Sequence, residues 1–324
     1  MADRLNAQRF RRIGLITIFA VYFLIMVGGI VRASGAGMGC PDWPTCFGQL
    51  VPPTDEAQLP ANYHEIYADR GYANTDFNPV KTWTEYLNRL TGVTIGLLIL
   101  LTVWYSRTYL KSDRAVFYLS LTVLLLVAFQ GWLGSRVVAS NLQPFMITLH
   151  MLLALTIVAL LIYAIARSQH DFISRMDTRL LPDKFSSVLL IALCMTLTQV
   201  AMGTQVREAV DMIAHNHGYI DRQYWRDDFP IIFYVHRSFS ALILFTNLWL
   251  VWQLRRSIRN KTLLKTGYTL AVLIVLAILA GISLDRLGMP PVAQPVHLLL
   301  ANLIFGVQFF IFICLKYSHR AINS

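Results

Sequence analysis

Long apolar runs alternate with polar segments along the chain, and eight of the runs are long enough to span a bilayer. They cover approximately residues 13–31, 82–105, 115–138, 145–166, 184–203, 231–253, 266–284 and 293–316. Each run is continuously apolar, whereas the strands of a membrane barrel would alternate apolar and polar residues. The pattern therefore predicts an all-α integral membrane protein with eight transmembrane helices.

The second half of the chain repeats landmarks of the first half in the same order. Spans 1 and 5 both end in a glycine followed four residues later by an arginine, as Gly28…Arg32 and Gly203…Arg207. Spans 2 and 6 carry the equivalent dipeptides Asn88-Arg89 and His236-Arg237, and spans 3 and 7 carry Gly131…Arg136 and Gly281…Arg286. Spans 4 and 8 each place a histidine after a Gln-Pro pair, namely His150 and His297. Because each repeat holds an even number of spans, both have the same orientation. The repeat predicts two four-helix bundles related by a pseudo-twofold axis along the membrane normal.

The repeat also predicts the domain boundaries. Residues 1–166 form an N-terminal bundle with a long outer loop over residues 32–81, and residues 184–324 form a C-terminal bundle. The charged, proline-containing segment 167–183 is then a cytoplasmic linker.

Composition and charge support a membrane protein. The chain is 56% hydrophobic and only 14% charged, which is too apolar for a soluble protein of this size. Its net charge of +10 would suit a nucleic-acid partner, but the basic residues cluster in alternate loops and the other loops are richer in acid. This asymmetry is the positive-inside pattern, which predicts that both termini are cytoplasmic and excludes nucleic acid as the partner.

The first span also has an alternative interpretation as a cleaved signal sequence, because the small residues 33–36 follow it. The span is long for a signal, Arg32 follows it directly, and it has a counterpart in the second half, so we expect it to be retained. The segment before it is shorter than a typical transit peptide, which favours a bacterial plasma membrane.

Three histidines lie in the first turns of even-numbered spans, which start outside. His150, His236 and His297 therefore share one depth near the outer surface with Asn88, the fourth equivalent position. Buried histidines in a bilayer are costly, and histidines on facing helices are how a four-helix bundle holds a haem iron. His236 and His297 make a complete pair for an iron porphyrin. Hydrogen-bonded structural histidines are the alternative, and a zinc site lacks further donors at this level.

Arginines flank the same level. Arg32, Arg136, Arg207 and Arg286 end odd spans, and Arg89 and Arg237 directly follow the ligand positions. Haem carries two propionates, and arginine pairs bidentately with carboxylates, so these residues are candidate propionate contacts. Snorkelling to the interface is the alternative for about half of them.

The first half differs from the second at its ligand positions. Asn88 stands where the second half has His236, and Glu85 lies one turn earlier on the same face. His150 is then the only strong iron ligand in that half, and a carboxylate beside a porphyrin suits proton transfer or stabilisation of a developing cation. The alternative for Glu85 is a favourable charge at a helix N-terminus. This asymmetry distinguishes a reactive site from an electron-transfer haem.

Two of the four cysteines, Cys40 and Cys46, lie close together in the first outer loop. Their spacing, the two intervening prolines and an oxidising outer face allow a disulfide. Cys194 and Cys314 fall within spans and are expected to be packing residues.

Taken in order, these residues resemble the haem A synthase family across all eight spans. The resemblance rests on the cysteine-bearing loop, Glu85-Tyr-Leu-Asn-Arg89, Leu149-His150, His236-Arg237 and Val296-His297. It implies an oxidoreductase that converts the methyl group of haem O to the formyl group of haem A for terminal oxidases. The chain departs from the family pattern at Asn88, where a histidine is expected, and lacks a second cysteine pair that some members carry.

The resemblance also implies residue roles and partners. Haem b is held by His236 and His297, the substrate haem lies near His150, Asn88 and Arg89, Glu85 is catalytic, and Cys40 pairs with Cys46. The expected partners are haem O, an electron-transfer protein, the lipid bilayer, haem O synthase and a second copy of the chain. The alternative function is a membrane cytochrome b that relays electrons without modifying haem; a haem carrier without turnover is a third.

Overall fold

Eight long helices dominate the computed structural model, which describes residues 2–218 and 224–320. They are α1 Ala2–Ala33, α2 Pro79–Ser106, α3 Arg114–Ala139, α4 Pro144–Arg167, α5 Phe185–Asn216, α6 Ile231–Ser257, α7 Lys261–Arg286 and α8 Ala293–Arg320. All eight are long and apolar enough to cross a membrane, which confirms the predicted spans. Over the described ranges no β-strand forms. The protein is an all-α, multi-pass membrane protein.

Local sequence signals set several helix starts. Asn78 accepts a hydrogen bond from the Lys81 amide ahead of Pro79, and Asp113 accepts one from the Ala115 amide. Asn260 caps α7 in the same way. Side-chain acceptors satisfy amides that the first helical turn leaves without partners, so polar residues at these boundaries start the helices where the apolar runs begin.

Two helices extend several turns beyond their predicted apolar runs, since α1 begins at Ala2 rather than near residue 13 and α5 also ends late. The hydropathy pattern ends span 5 near residue 203, but α5 continues to Asn216. The added segment mixes charged residues with apolar ones, of which Val210, Ile213 and Ala214 are buried, and a helix propagates through such residues once it has been nucleated. We call the end of the molecule that carries residues 34–78 the outer end; the extension of α5 projects there.

The helices pack in two closed rings. Helix α1 contacts α2 and α4, and α3 closes the first ring between α2 and α4; helices α5–α8 pack in the same cyclic order. Between the rings, α1 contacts α8, α4 contacts α5, and α4 contacts α8. These are pairs that a twofold relation would exchange. The pseudo-twofold axis and the division at residues 1–166, 167–183 and 184–324 stay predictions.

Helix α8 is the most deeply packed of the eight. Its most apolar window is 56% buried, against 28% for α4, its counterpart in the first ring. Gly306 permits this packing, because a Cβ there would lie 1.9 Å from the Tyr22 hydroxyl of α1. The lower burial of α4 reflects a large cavity that borders it.

Candidate functional site

The predicted ligand positions lie on the four even-numbered helices near their outer ends. Asn88 is on α2, His150 on α4, His236 on α6 and His297 on α8. The helix order of each ring therefore brings Asn88 and His150 to one ring and His236 and His297 to the other. The structure thus forms the two pairs that the repeat predicts.

Glycines on the neighbouring odd-numbered helices lie directly against the three imidazole rings. A Cβ built on Gly134 would lie 3.5 Å from Cε1 of His150, and Cβ atoms on Gly203 and Gly281 would lie 3.3 Å from Cε1 of His236 and His297. At Gly203 and Gly281 even an added methyl group would press on the ring, whereas at Gly134 it would make an ordinary contact. The sequence landmark in span 3 was therefore misplaced, because Gly134 contacts the histidine and Gly131 faces open space.

The fourth glycine has no ring beside it. Gly28 occupies on α1 the place that Gly203 has on α5, yet nothing lies within 4 Å of a Cβ built there. Asn88 is shorter than histidine, which accounts for the free space. The space that a histidine ring fills at the other three positions is therefore present beside Gly28, but the Asn88 side chain does not fill it.

The imidazoles of His236 and His297 face each other across the second ring. Their centroids are 6.4 Å apart and their planes are inclined by 70°. Nδ1 of His297 lies 2.9 Å from the Ala277 carbonyl oxygen, an arrangement that leaves Nε2 as the available donor atom. The Gln199 amide donates to the His236 carbonyl oxygen at 3.0 Å, which fixes α5 against α6.

Unpaired polar atoms mark both pairs. Nδ1 of His150, Nδ1 of His236 and Oδ1 of Asn88 are buried, with no hydrogen-bond partner in the part of the chain that the structure describes. Gln130 holds the His150 backbone through a hydrogen bond of 2.9 Å to its carbonyl oxygen, as Gln199 holds that of His236. Buried polar atoms without partners are uncommon in folded proteins and indicate a place for a ligand.

A cavity of about 1940 Å³ fills the centre of the first ring. Glu85, Asn88, Arg89 and His150 line it, and the lining residues do not include His236 or His297. Its roof includes residues 33–38 and 43–44, the extension of α5 from Arg207 to Asn216, and residues 289–294. The cavity of the first ring is therefore bordered at the outer end by elements of both halves.

A disulfide loop lies over the outer end of α2. Cys40 and Cys46 are joined by a disulfide, and both are fully buried. Phe47 packs edge-on against the rings of Tyr67 and Tyr72, at 5.3 and 5.1 Å between centroids. Burial raises the pKa of the Tyr72 hydroxyl above its ordinary value, so that it stays a neutral donor to the Met38 carbonyl oxygen at 3.0 Å.

Glu85 and Arg89 join this loop to the cavity wall. The Cys40 amide donates to Oε2 of Glu85 at 2.9 Å, and the Arg89 guanidinium donates to Oε1 from Nη2 at 2.5 Å and from Nε at 3.2 Å. The remaining Arg89 hydrogens bind the carbonyl oxygens of Cys40, Asp42 and Thr45, between 2.8 and 3.1 Å. All five donors of the guanidinium are used within the protein. Arg89 therefore holds Glu85 and the loop.

The predicted arginines lie in three different environments. Arg32 and Arg207 both bind Asp211 at the roof of the cavity, at 3.3 and 2.8 Å. Arg237 and Arg286 both lie near Asp285 in the second ring, at 3.7 and 3.5 Å.

Arg136 lies in neither arrangement. It lines a separate outer cavity of about 510 Å³ together with Arg70. The structure therefore does not place it beside His150.

Sequence reasoning missed three charged residues near the site. Asp211 and Asp285 connect the arginine pairs, and Lys81 lines the large cavity one turn before Glu85. The i,i+4 spacing of Arg207 and Asp211 was a signal that could have identified the first pair. Lys81 directly precedes the predicted span 82–105, and because charged residues are common at the ends of spans, its sequence position did not indicate a role in the site.

Comparison with known proteins decides the family. Residues 11–309 match the model of the COX15-CtaA family, described as cytochrome oxidase assembly protein. The chain belongs to this family.

Individual relatives agree with the family match. A heme A synthase of Shewanella oneidensis is 31% identical over 188 residues, which are 58% of this chain and 54% of that protein. A heme A synthase of Rickettsia prowazekii is 22% identical over 94% of this chain and 97% of that protein, and one of Flavobacterium johnsoniae is 23% identical over 87% and 90%. The chain thus spans about half the length of the first of these relatives and nearly all of the others.

Proposed function

We propose that this family member is a haem A synthase, which oxidises a methyl group of haem O to the formyl group of haem A for terminal oxidase assembly. The observation that carries the proposal is the large cavity where Glu85, Asn88 and His150 meet. The names of the relatives supply the substrate. A cytochrome that only relays electrons would need two strong axial ligands for each haem iron, whereas the first ring offers a single imidazole, that of His150.

In this proposal the cavity binds the substrate haem. His150 is the strong axial ligand, and Asn88 faces the other side of the iron as a weak ligand. Arg32, Arg207 and Lys81 lie at the outer end of the cavity, where they can bind the propionates. Arg136 lines the separate outer cavity and is not one of the proposed propionate contacts.

The second ring is the proposed site of a resident haem b. With metal–nitrogen bonds of about 2 Å on both sides, two imidazole centres lie about 6 Å apart, and the observed separation of His236 and His297 is 6.4 Å. Nδ1 of His236 lies on the Gly203 side of the ring, so Nε2 is the atom that would bind the iron. Arg237 and Arg286 are the candidate propionate contacts. Such a haem supplies one-electron transfer.

Glu85 is the proposed catalytic residue. Conversion of a methyl to a formyl group removes two hydrogen atoms and adds one oxygen atom, so protons must leave the carbon and positive charge develops there. Glu85 lies one helical turn nearer than Asn88 to the outer end of the cavity, where the propionates are proposed to bind. A carboxylate fixed by Arg89 and the Cys40 amide can stabilise the positive charge or accept a proton without reorganising.

The remaining partners and the orientation extend this proposal. An electron-transfer protein that exchanges electrons with the resident haem b is one candidate partner. Haem O synthase and a second copy of the chain are further candidate partners. The charge pattern favours cytoplasmic termini and outward-facing haem sites in a bacterial plasma membrane.

The proposal is tested by producing the protein in cells that make haem O but no haem A, and by measuring extracted haems by mass spectrometry. We expect haem A and the hydroxymethyl intermediate to accumulate with the wild-type chain. Haem O alone, together with an intact low-spin haem in the purified protein, would favour the electron-relay alternative.

Replacing Asn88 by histidine should give the substrate haem a second strong ligand. The free space beside Gly28 allows the ring to take the position that His236 has beside Gly203. We expect haem O bound to Asn88→His to become low-spin in absorption and electron paramagnetic resonance spectra. A bound haem O with the wild-type spin state would contradict the placement of Asn88 on the axial face.

A further inference from the structure

Three polar side chains form a hydrogen-bond network in the centre of the second ring. Gln308 of α8 donates from Nε2 to Oδ1 of Asn247 on α6 at 2.8 Å, and the Thr196 hydroxyl of α5 donates to Oε1 of Gln308 at 3.0 Å. Asn247 in turn donates to the Ile243 carbonyl oxygen at 2.8 Å. All three side chains are buried. Polar groups in a membrane interior are costly unless they are paired, and they commonly have a function.

The two amides follow the two proposed iron ligands at the same spacing. Asn247 comes 11 residues after His236, and Gln308 comes 11 residues after His297. Eleven residues are close to three turns of an α-helix, so each amide lies on the same face of its helix as the histidine, about 16 Å further from the outer end. The amide pair therefore crosses the ring along the same diagonal as the histidine pair.

Helices α6 and α8 lie opposite each other in this ring, with α5 and α7 between them. The hydrogen bond between Asn247 and Gln308 therefore connects, across the centre, the two helices that carry the proposed iron ligands. Each amide nitrogen and oxygen of the network has a partner. A fully paired buried network holds one arrangement, because the alternatives leave a costly unpaired polar atom.

The first ring has apolar residues at the three equivalent positions. Counted from Gly28, Asn88 and His150 of the repeat, the equivalents of the α5, α6 and α8 members are Val21, Ile99 and Leu161. These three are buried in one apolar cluster. Apolar contacts have no fixed direction, so they hold α2 and α4 at one separation less strictly than a hydrogen bond does. The network thus occurs in the ring proposed to hold a resident haem, and not in the ring proposed to exchange its haem.

We infer that Asn247 and Gln308 are positioning residues, which hold α6 and α8 at the separation at which His236 and His297 bind one iron. The inference rests on the haem b site of the proposed function. Without the hydrogen bond the two helices can move apart, and one imidazole leaves the iron more often. A side-chain hydrogen bond between membrane helices shifts an equilibrium by about threefold on average and by up to about twentyfold. The fraction of five-coordinate iron should rise by such a factor.

The test measures how often an imidazole leaves the iron. Carbon monoxide binds a reduced six-coordinate haem only after one axial ligand has left, so its binding rate reports that fraction. The parent protein is the full chain with His150→Ala, purified from cells that make no haem O, so that the signal comes from the second ring. Gln308→Leu keeps the approximate size of the side chain and removes the hydrogen bond. We expect carbon monoxide to bind about three to twenty times faster, with a low-spin spectrum before mixing.

Asn247→Leu removes the same hydrogen bond and serves as the second variant if Gln308→Leu does not fold. The double leucine variant should add little to either single variant, because the two residues share one bond. The exchanged pair, Asn247→Gln with Gln308→Asn, keeps the total length of the two side chains. Its rate should return to within about twofold of the parent.

Thr17→Val is the matched control in the first ring. It removes a buried contact of 3.1 Å between the hydroxyl groups of Thr17 on α1 and Thr102 on α2. This variant loses a comparable hydrogen bond between helices, but one that does not connect the helices of the iron ligands. Its rate of carbon monoxide binding should equal that of the parent.

Three outcomes would overturn the inference: the parental rate in both single leucine variants, an equal increase in Thr17→Val, or no recovery in the exchanged pair. Haem A formation is not part of the measurement, so the two proposals fail separately. The expected rates in a chain that makes no haem A would refute the proposed reaction alone. A low-spin haem whose rate is independent of Asn247 and Gln308 would refute the positioning role alone. A parent without low-spin haem would refute the haem b site and the inference with it.

Discussion

Replacing Glu85 by alanine is expected to abolish haem A formation while the low-spin haem of the second ring remains. The side chain is 5% exposed, lines the substrate cavity and is fixed from two sides by Arg89 and the Cys40 amide. Positioned acid–base groups contribute about 10²–10⁴ to a rate, so the yield of haem A should fall by at least about a hundredfold. Extracted haems are measured by mass spectrometry in cells that supply haem O.

The alanine variant also removes the partner of a buried guanidinium, which typically destabilises a protein by about 3–5 kcal/mol. Glu85→Gln separates the two effects, because it removes the charge and keeps the shape of the side chain. Its amide oxygen still accepts hydrogen bonds from Arg89, and only the bond from the Cys40 amide is lost. If the charge is catalytic, the glutamine variant folds and is inactive. Glu65→Ala in the outer loop is the control and should stay active. A Glu85→Gln protein that makes haem A at the wild-type rate would reduce Glu85 to a structural role.

Replacing His236 or His297 by glycine should eliminate the low-spin haem signal of the purified protein. Their separation of 6.4 Å fits two ligands of one iron, so the loss of either leaves a five-coordinate iron. Added imidazole should enter the space of the lost ring and restore the low-spin spectrum. Absorption and electron paramagnetic resonance spectra give the measurement.

His170→Ala is the matched control for this experiment. His170 lies on the linker beside Tyr317, its side chain is 48% exposed, and it is remote from both histidine pairs. Its spectrum should match the wild type. A low-spin signal that persists in both glycine variants would show that the resident haem is held elsewhere.

Hydropathy alone identified all eight spans, because a bilayer requires about 20 apolar residues in a row and such runs are distinctive. The extension of α5 past residue 203 could not be found in this way. Its apolar residues are interrupted by Arg207, Glu208 and Asp211, so no continuous apolar run marks it, and it continues an existing helix beside the cavity. Hydropathy predicts the helix ends that lie where the chain leaves the bilayer, but it does not predict helix ends that depend on contact with another part of the protein.

The candidate site was predictable in its level but not in its contacts. The repeat predicted one common level for Asn88, His150, His236 and His297, because these residues occupy equivalent positions in equivalent helices. The repeat could not distinguish Gly131 from Gly134, because only the structure shows that Gly134 faces the His150 ring. The five hydrogen bonds of Arg89 were also hidden, since three of its acceptors are backbone oxygens of a distant loop.

The cavity of the first ring is roofed by residues of the second half, and Asp211 of α5 binds Arg32 of α1 across the boundary between them. An isolated N-terminal fragment would therefore lack part of its own binding chamber, whereas the C-terminal fragment would keep both of its imidazoles. A gene split within residues 167–183 should give two polypeptides that differ in their ability to bind haem. The C-terminal piece alone should acquire haem, and haem O turnover should need both pieces in one membrane. The two halves of the chain are then expected to differ in what each can do alone, and neither can replace the other.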